Sequence, residues 1–435
     1  MALSWRGVLE AGHGRAWSWL ERERLIDFLA AHGFNLFVYA AEHDPLRQHR
    51  WQEPYLPEEV ERFARLAERA VASGVEFCLA LRPEGCHDAG ALWQKLAPLH
   101  AAGLRSFLLQ GAGGSGEAVL ANALLAELER AEAGRPYPRP VPATERPVRL
   151  SFQPAAGGPA YLKALGARLD PAVAVLWAAA CAPALSARAL QAASDALGRP
   201  LLCLDAYPGA PEVGLRTPPL RGLGGREAVL GAAAAGILFT LGPLPEAAKV
   251  ALHTCATWAA DPDGYVPGLA WEQALLAVSG DMEDASAVGN LGHFARSACL
   301  EPGADNPLAP KLQQFWQRWG GSDRPLERQA AIAVLARELT RLRWKAERLL
   351  GKLANPYLQA ELEPWAKKLL GWVETAELGL ELLRLGLVDP GDARLGALRE
   401  KVLLRSAALR EDPHAVADDQ FDPFCRRCLW AWSGH

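Results

Sequence analysis

A closed α/β barrel of the (β/α)8 TIM type, followed by an all-α helical bundle, is the architecture this sequence predicts. Three observations carry that expectation. Eight apolar runs of strand length recur over roughly the first 245 residues, each separated from the next by a helical pattern. Most of the runs are continuous rather than alternating, as in parallel strands covered on both faces. Beyond that point the strand-like runs stop and only long helical segments remain. Eight strand–helix alternations are the content of a (β/α)8 barrel. A doubly wound open sheet lacks support, because no glycine fingerprint follows the first strand with an acid about 20 residues on.

The strands are expected at 7–10, 34–40, 76–82, 105–110, 148–153, 172–177, 201–207 and 235–240. Between the first two, Ser18 and Glu21 form a capping box. Leu25, Phe28 and Leu29 supply an apolar stripe, and Gly33 stops the helix. Before the third strand, Pro57 suits a first helical position. Val60, Ala64, Ala67 and Val71 then repeat at helical spacing up to Gly74. The run 135–140, rich in proline, reads as a stiff connector.

In the second half, helices are expected at 246–259, 268–278, 326–350, 356–385 and 394–409, with a linker at 320–325. This gives a barrel domain over 1–245, a helical connector packed on it over 246–319, and a C-terminal bundle over 320–435. Nine of the fifteen tryptophans fall in the helical half, among them Trp316, Trp319, Trp344, Trp365 and Trp372. Their helical spacing favours core packing over an exposed sugar-stacking surface.

Composition excludes several classes. A formal charge of −4 offers no basic surface for nucleic acid or anionic membranes. No stretch of about 18 apolar residues is present, and the start lacks a signal-peptide core, so a soluble cytoplasmic protein is expected. The eight cysteines do not form a disulfide framework. Cys78, Cys203 and Cys255 sit in apolar runs as small hydrophobic residues. Cys425 and Cys428 lack the two further ligands of a structural zinc site, with only His414 and His435 nearby in sequence. No metal and no cofactor are expected.

The active site of such a barrel lies at the C-terminal ends of its strands. That rule selects Glu10, Tyr39, Glu42, His43, Asp44, Glu84, Gln110, Gln153, Trp177, Asp205, Tyr207 and Thr240. His13 sits on the loop after the first strand.

Specific segments then suggest a family. The run Glu10-Ala11-Gly12-His13-Gly14-Arg15-Ala16-Trp17-Ser18 resembles E-G-F-Y-G-x-P-W-S, which opens the β-N-acetylglucosaminidases of glycoside hydrolase family 84, the O-GlcNAcase family. Asn35-Leu36-Phe37-Val38-Tyr39-Ala40-Ala41-Glu42-His43-Asp44-Pro45 is similar to that family's N-T-Y-I-Y-A-P-K-D-D-P. Trp51 to Tyr55 resembles W-R-x-P-Y, and Leu204-Asp205-Ala206-Tyr207-Pro208 resembles W-D-N-Y-P. Leu220-Arg221-Gly222 resembles a downstream L-x-G. Lys249 to Tyr265 resembles S-K-I-A-L-x-T followed by D-P-x-x-Y, and Asn355 to Trp365 resembles N-x-x-L-x-x-E-I-x-P-W. The match runs in order over most of the chain.

The resemblance implies substrate-assisted glycoside hydrolysis, in which the substrate's acetamido oxygen attacks the anomeric carbon. One aspartate orients that amide, and its neighbour protonates the leaving oxygen and then activates water. Here the acid pair falls in Gln110-Gly111-Ala112, and none of these side chains titrates. The family's sugar-contacting lysine is Glu42, the next acid is His43, and a glycine is Ala11. Trp-Thr-Gly-Pro has become Trp177-Ala178-Ala179-Ala180. The asparagine after Asp205 is Ala206, and an expected N-P-M reads Leu241-Gly242-Pro243 after Thr240. Trp177, Asp205, Tyr39 and Asp44 survive.

The expectation is therefore a pseudo-glycosidase, kept for glycoconjugate binding or as an interaction scaffold. Its partners would be an N-acetylglucosamine-type sugar or a glycosylated protein, or a second copy or catalytic relative joined through the helical domain. Nucleic acid and membrane are not expected partners. The alternative is an active glycoside hydrolase with displaced carboxylates, drawn from Glu10, Glu42, Asp44, Glu84 and Asp205 and set about 5 to 9 Å apart. A third reading assigns His13 and His43 to a different reaction.

Overall fold

The computed structural model describes residues 3–11, 14–111, 113, 116–133, 150–155, 158–178, 185–209, 216–294, 307–321 and 323–432. The expected connector at 135–140, along with His13, Ala112 and His435, lies outside the described residues. Those described sort into two compact units, the first within 1–211 and 223–270 and the second within 212–222 and 271–435.

The first unit is the barrel. Strand β1 (Trp5–Glu10) is followed by α1 (Trp19–Ala31), β2 (Leu36–Tyr39) by α2 (Pro57–Ala72), and β3 (Glu76–Leu81) by α3 (Ala89–Ala101). Then come β4 (Ser106–Gln110), α4 (Glu117–Glu132), β5 (Leu150–Gln153), α5 (Pro159–Gly166), β6 (Ala174–Ala178) and α6 (Ala187–Leu197). Strands β7 (Leu202–Pro208) and β8 (Gly236–Leu241) flank α7 (Leu230–Ala233), and α8 (Pro245–Ala260) follows. All eight strands pair in parallel in chain order, and β8 closes on β1 from Trp5↔Gly236 to Glu10↔Leu241. Every expected strand is present.

The continuous apolar runs have a direct cause. Side chains alternate across a strand, and here both faces are buried. Leu9, Val38, Cys78, Ala80, Leu108, Leu176, Leu202 and Leu238 fill the barrel interior. On the opposite face Phe37, Phe77, Phe107, Phe152 and Phe239 are each at most 2% exposed. Phe63 of α2 packs 6.4 Å from Phe77.

Two helix expectations meet the structure differently. The capping box of α1 is formed by Ser18 and Glu21. On α2 the buried stripe is Phe63, Leu66, Ala67 and Ala70 rather than Val60, Ala64, Ala67 and Val71, and Val71 is 41% exposed. Phe63 decides that face: its ring lies 5.0 to 5.2 Å from Trp19, Tyr39 and Tyr55. No single valine buries comparable area.

After α8 the helices are α9 (Pro267–Ser279), α10 (Met282–Phe294), α11 (Ala309–Gly320), α12 (Pro325–Gly351), α13 (Pro356–Val388), α14 (Arg394–Glu411) and α15 (Asp418–Trp432). Sequence periodicity missed α10, α11 and α15. In α10, Gly289 and Gly292 break the apolar pattern, yet the second brings its backbone close to Leu220, where a Cβ would sit 3.3 Å from that side chain. Trp316, Trp365 and Trp372 are buried as expected, whereas Trp344 is 43% exposed. Cys425 and Cys428 are buried on α15. A Cβ on Gly379 of α13 would lie 3.2 Å from Cys428 Sγ, so these small residues let α13 and α15 approach closely. Among the described residues no helix is long and apolar enough to cross a membrane.

Candidate active-site cleft

The pleat divides the strand-end residues into two sets. Because Leu9, Val38, Ala80, Leu108, Leu176 and Leu202 face the barrel interior, residues an even number of positions further along each strand share that face. Arg82, Gln110, Gln153 (paired with Gln110) and Ala178 are therefore inward. Glu10, Tyr39, Trp177 and Asp205 have the opposite parity; Glu10, Tyr39 and Asp205 sit between barrel and helices, whereas Trp177 still borders the cleft pocket.

The outward acids are occupied. Arg22 of α1 donates to Glu10 through Nε at 2.9 Å and Nη2 at 2.7 Å, and both residues are under 5% exposed. Burial raises the Glu10 carboxyl above its ordinary range, against the opposing pull of Arg22. A strand-end carboxyl displaced in this way is a usual signature of catalysis, but a two-pronged arginine grip serves packing here. Arg22 also lies 4.9 Å over the Tyr39 ring. Arg226 holds Asp205 in the same manner, and Tyr207 donates its backbone N–H to Asp205 Oδ1 at 2.9 Å. Asp44 accepts from the hydroxyls of Tyr39 (3.2 Å) and Tyr55 (2.7 Å) and caps Leu46 N at 2.9 Å. Its place before Pro45 is that of a turn-forming residue.

The inward set forms a chain of neutral acceptors fed by arginine. Arg47, only 2% exposed, donates through Nη1 to Gln110 Oε1 at 2.7 Å and through Nε to Ala41 O at 2.8 Å. Gln110 Nε2 donates to Gln153 Oε1 at 2.7 Å. Arg82 donates from Nη2 to Gln48 Oε1, while its buried Nε has no partner. Burial and the neighbouring Arg82 charge lower the Arg47 pKa. Above this floor lies a pocket of about 380 Å³ lined by Arg82, Gln110, Gly111, Gln153, Pro154, Ala155, Trp177 and Ala178. Trp177 is 7% exposed, and its indole N–H is unpartnered. Among the described residues, no carboxylate lines this pocket.

At the end of β4, the first residue of α4 fills the space a side chain would need. A Cβ on Gly111 would collide with Glu117 Oε1 and lie 2.9 Å from its Cδ and 3.1 Å from Phe152 Cζ. Glu117 is held there by the Gly113 N–H at 2.7 Å and by the Tyr161 hydroxyl.

The remaining sequence candidates lie apart from the pocket lining. Glu42 and Glu84 are exposed, and their carbonyls accept from Gln48 Nε2 and Trp51 Nε1. His43, exposed, is bonded through Nε2 to Gly14 O. Thr240 is half-buried at the end of β8, and His13 lies outside the described residues. Sequence reasoning missed Arg22, Arg47, Arg82, Glu117 and Arg226. Only Arg82 carried a signal: it ends an expected strand, two residues beyond an interior alanine. Among the described residues no three His, Cys, Asp or Glu side chains are grouped as metal ligands.

Comparisons with known proteins place this geometry. The sequence pattern of the β-N-acetylglucosaminidase family matches residues 6–119 and 148–294, more than half of the chain. Among solved structures, a variant of the Thermobaculum terrenum O-GlcNAc hydrolase superposes with a TM-score of 0.82 at 21% identity, covering 98% of this chain and 94% of that one. The structure of CpGH84B gives 0.78 at 19% identity, covering 98% of this chain and 77% of the other. CpGH84D gives 0.80 at 16%, covering 100% and 76%. At such identities these likenesses establish the fold.

Proposed function

The chain belongs to the β-N-acetylglucosaminidase family, and on that premise we propose that it is a member that binds a glycoconjugate in its barrel cleft without hydrolysing it. The observation that carries this reading is the pocket lining. Glycoside hydrolysis needs one group to protonate the leaving oxygen and another to handle water or hold the attacking amide. Where the acids are expected stand Gln110, Gly111 and Ala112, and Gln110 is already bonded to Arg47 and Gln153. Glu10 and Asp205 are closed off by Arg22 and Arg226. Releasing either would leave a buried arginine uncompensated, which costs several kcal/mol, about 3–5 by analogy with other broken buried pairs.

A second reading has a specific observation in its favour. The Glu117 carboxylate adjoins Gly111 and could serve as a relocated acid in an active hydrolase. Against it, a single carboxylate satisfies only half of the two-group requirement. Turnover of a fluorogenic β-N-acetylglucosaminide, run beside Glu117→Gln, separates the two. No turnover above the variant's background is expected. Hydrolysis that disappears in Glu117→Gln would overturn the binding reading. A cytoplasmic location accompanies the proposal. Association through the helical unit, with a second copy or a catalytic relative, is a separate use that sedimentation analysis tests.

A further inference from the structure

We propose that the ligand of this cleft carries an oxyanion group, a carboxylate, sulfate or phosphate on a sugar, and that Arg82 receives it; this rests on the reading that the cleft binds rather than cleaves. The contrast among the arginines around the cleft is the starting point. Arg22 and Arg226 each close on a carboxylate. Arg47 is as deeply buried, yet among the described residues its side chain meets only a backbone carbonyl and the Gln110 amide oxygen. Arg82 meets Gln48, and its buried Nε meets nothing. Neither Arg47 nor Arg82 has a carboxylate within ion-pair distance among the described residues. A desolvated cation such as Arg47 without an anion is unfavourable, and the pocket lined by the half-buried Arg82 is where one would enter.

The amide chain points the same way. Arg47 can only donate, so Gln110 must turn its oxygen toward Arg47 and its NH₂ toward Gln153. Gln153 must then accept with its oxygen, which leaves its own NH₂ as the free end of the relay in a residue lining the pocket. The buried Arg47 charge thus fixes the direction of two amides, neither of which can flip without facing a donor with a donor. Trp177 adds a donor-only indole N–H with no protein partner. The unengaged side-chain donors in the pocket lining are therefore a guanidinium, the Gln153 amide NH₂ and a buried indole N–H. That set suits an oxyanion, whereas a neutral sugar hydroxyl would also look for acceptors. Acids do lie nearby: Asp44 and Glu10 both act on Arg47 electrostatically. Their oxygens are held by Tyr39 and Tyr55 and by Arg22, respectively.

Isothermal titration of the full chain with glucuronate, N-acetylglucosamine 6-sulfate, N-acetylglucosamine 6-phosphate and neutral N-acetylglucosamine tests this. At least one anionic sugar should bind about tenfold or more tighter than the neutral one, and the preferred group identifies the source of the charge. Arg82→Gln should weaken that binding by about ten- to a hundredfold, the range for losing a charged hydrogen bond. Gln153→Leu, which removes the donor end of the relay without touching an arginine, should weaken it as well and serves if Arg82→Gln fails to fold. Equal affinity for neutral and anionic sugars, indifference to both substitutions, or no binding by any anionic sugar would overturn the proposal. Neutral N-acetylglucosamine bound intact at least as tightly as every anionic sugar would sink this inference and leave the non-hydrolytic reading standing. Cleavage of the fluorogenic glycoside would remove that reading instead.

Discussion

Arg226 grips Asp205 through two parallel hydrogen bonds, Nε to Oδ2 at 2.7 Å and Nη2 to Oδ1 at 2.9 Å, with both side chains at most 6% exposed. Asp205 lies in the segment Leu204 to Pro208, which resembles the family's W-D-N-Y-P, yet its carboxylate is taken up on the outer face of β7. A strand-end carboxylate can therefore be withdrawn from a cleft when an arginine about twenty positions on folds back over it.

The first prediction follows from that grip. Asp205→Ala leaves the Arg226 guanidinium buried and unpaired and should destabilise the protein by about 3–5 kcal/mol in urea denaturation. Replacing the pair together, Asp205→Leu with Arg226→Met, should recover most of the loss. A single substitution costing under about 1 kcal/mol would instead mark Asp205 as an exposed ligand residue.

At the end of β4, restoring an acid is predicted to meet an obstacle. Gly111→Asp must push the Glu117 carboxylate off the Gly113 N–H and the Tyr161 hydroxyl. It should lower the melting temperature, and Glu117→Gly should relieve the defect with a coupling of about 1–3 kcal/mol. Additive effects would show that the two positions do not share space. The double variant should not hydrolyse a β-N-acetylglucosaminide, since the second acid is still missing.

Glu76, at the opposite end of the barrel, should give stability a pH dependence. Burial raises its carboxyl to about 7, although Ser106 Oγ donates to it at 2.6 Å. Between about pH 4.5 and 7 the unfolded chain ionises this group while the folded chain keeps it protonated. The unfolded state then binds fewer protons, so stability is greatest below that window and falls as pH rises through it. The loss is at most about 3 kcal/mol. Denaturation of wild type and Glu76→Gln across the window should show the slope only in wild type, and parallel curves would exclude the effect.

Cys425 and Cys428 should be inert thiols. Burial pushes the first up to about 12 and the second well above the ordinary thiol value, so near pH 8 almost no thiolate is available to react. Mass-spectrometric mapping after brief alkylation should find both unmodified in the native protein and labelled after unfolding. Rapid native labelling of either would contradict the packing of α13 on α15.

Much of this molecule was legible in the chain because the relevant signals are local. Runs such as Phe107-Leu108-Leu109 are apolar at every position because both pleat faces are covered, and the helix starts at Ser18 and Pro57 carry their own capping chemistry. The absence of acids at Gln110, Gly111 and Ala112 is equally local, since no fold can make those residues titrate. Helices α10 and α15 were hidden because glycines and a mid-helix Pro423 interrupt the pattern that packing later completes.

The cleft itself was decided by closure of the barrel. Glu10, Tyr39, Trp177 and Asp205 all stand at strand ends, and nothing in their order says which face of the pleat each takes. That depends on which neighbours fill the interior, a property of eight strands in mutual register. The partners depend on it too: Arg22 reaches Glu10 across 12 positions, Arg47 reaches Gln110 across 63, and Gln110 reaches Gln153 across 43. Residue chemistry sets which groups can ionise or donate, and that is readable one residue at a time. Whether a carboxylate faces a ligand or an arginine is a matter of distances between segments far apart in the chain, which exist only once the barrel has closed.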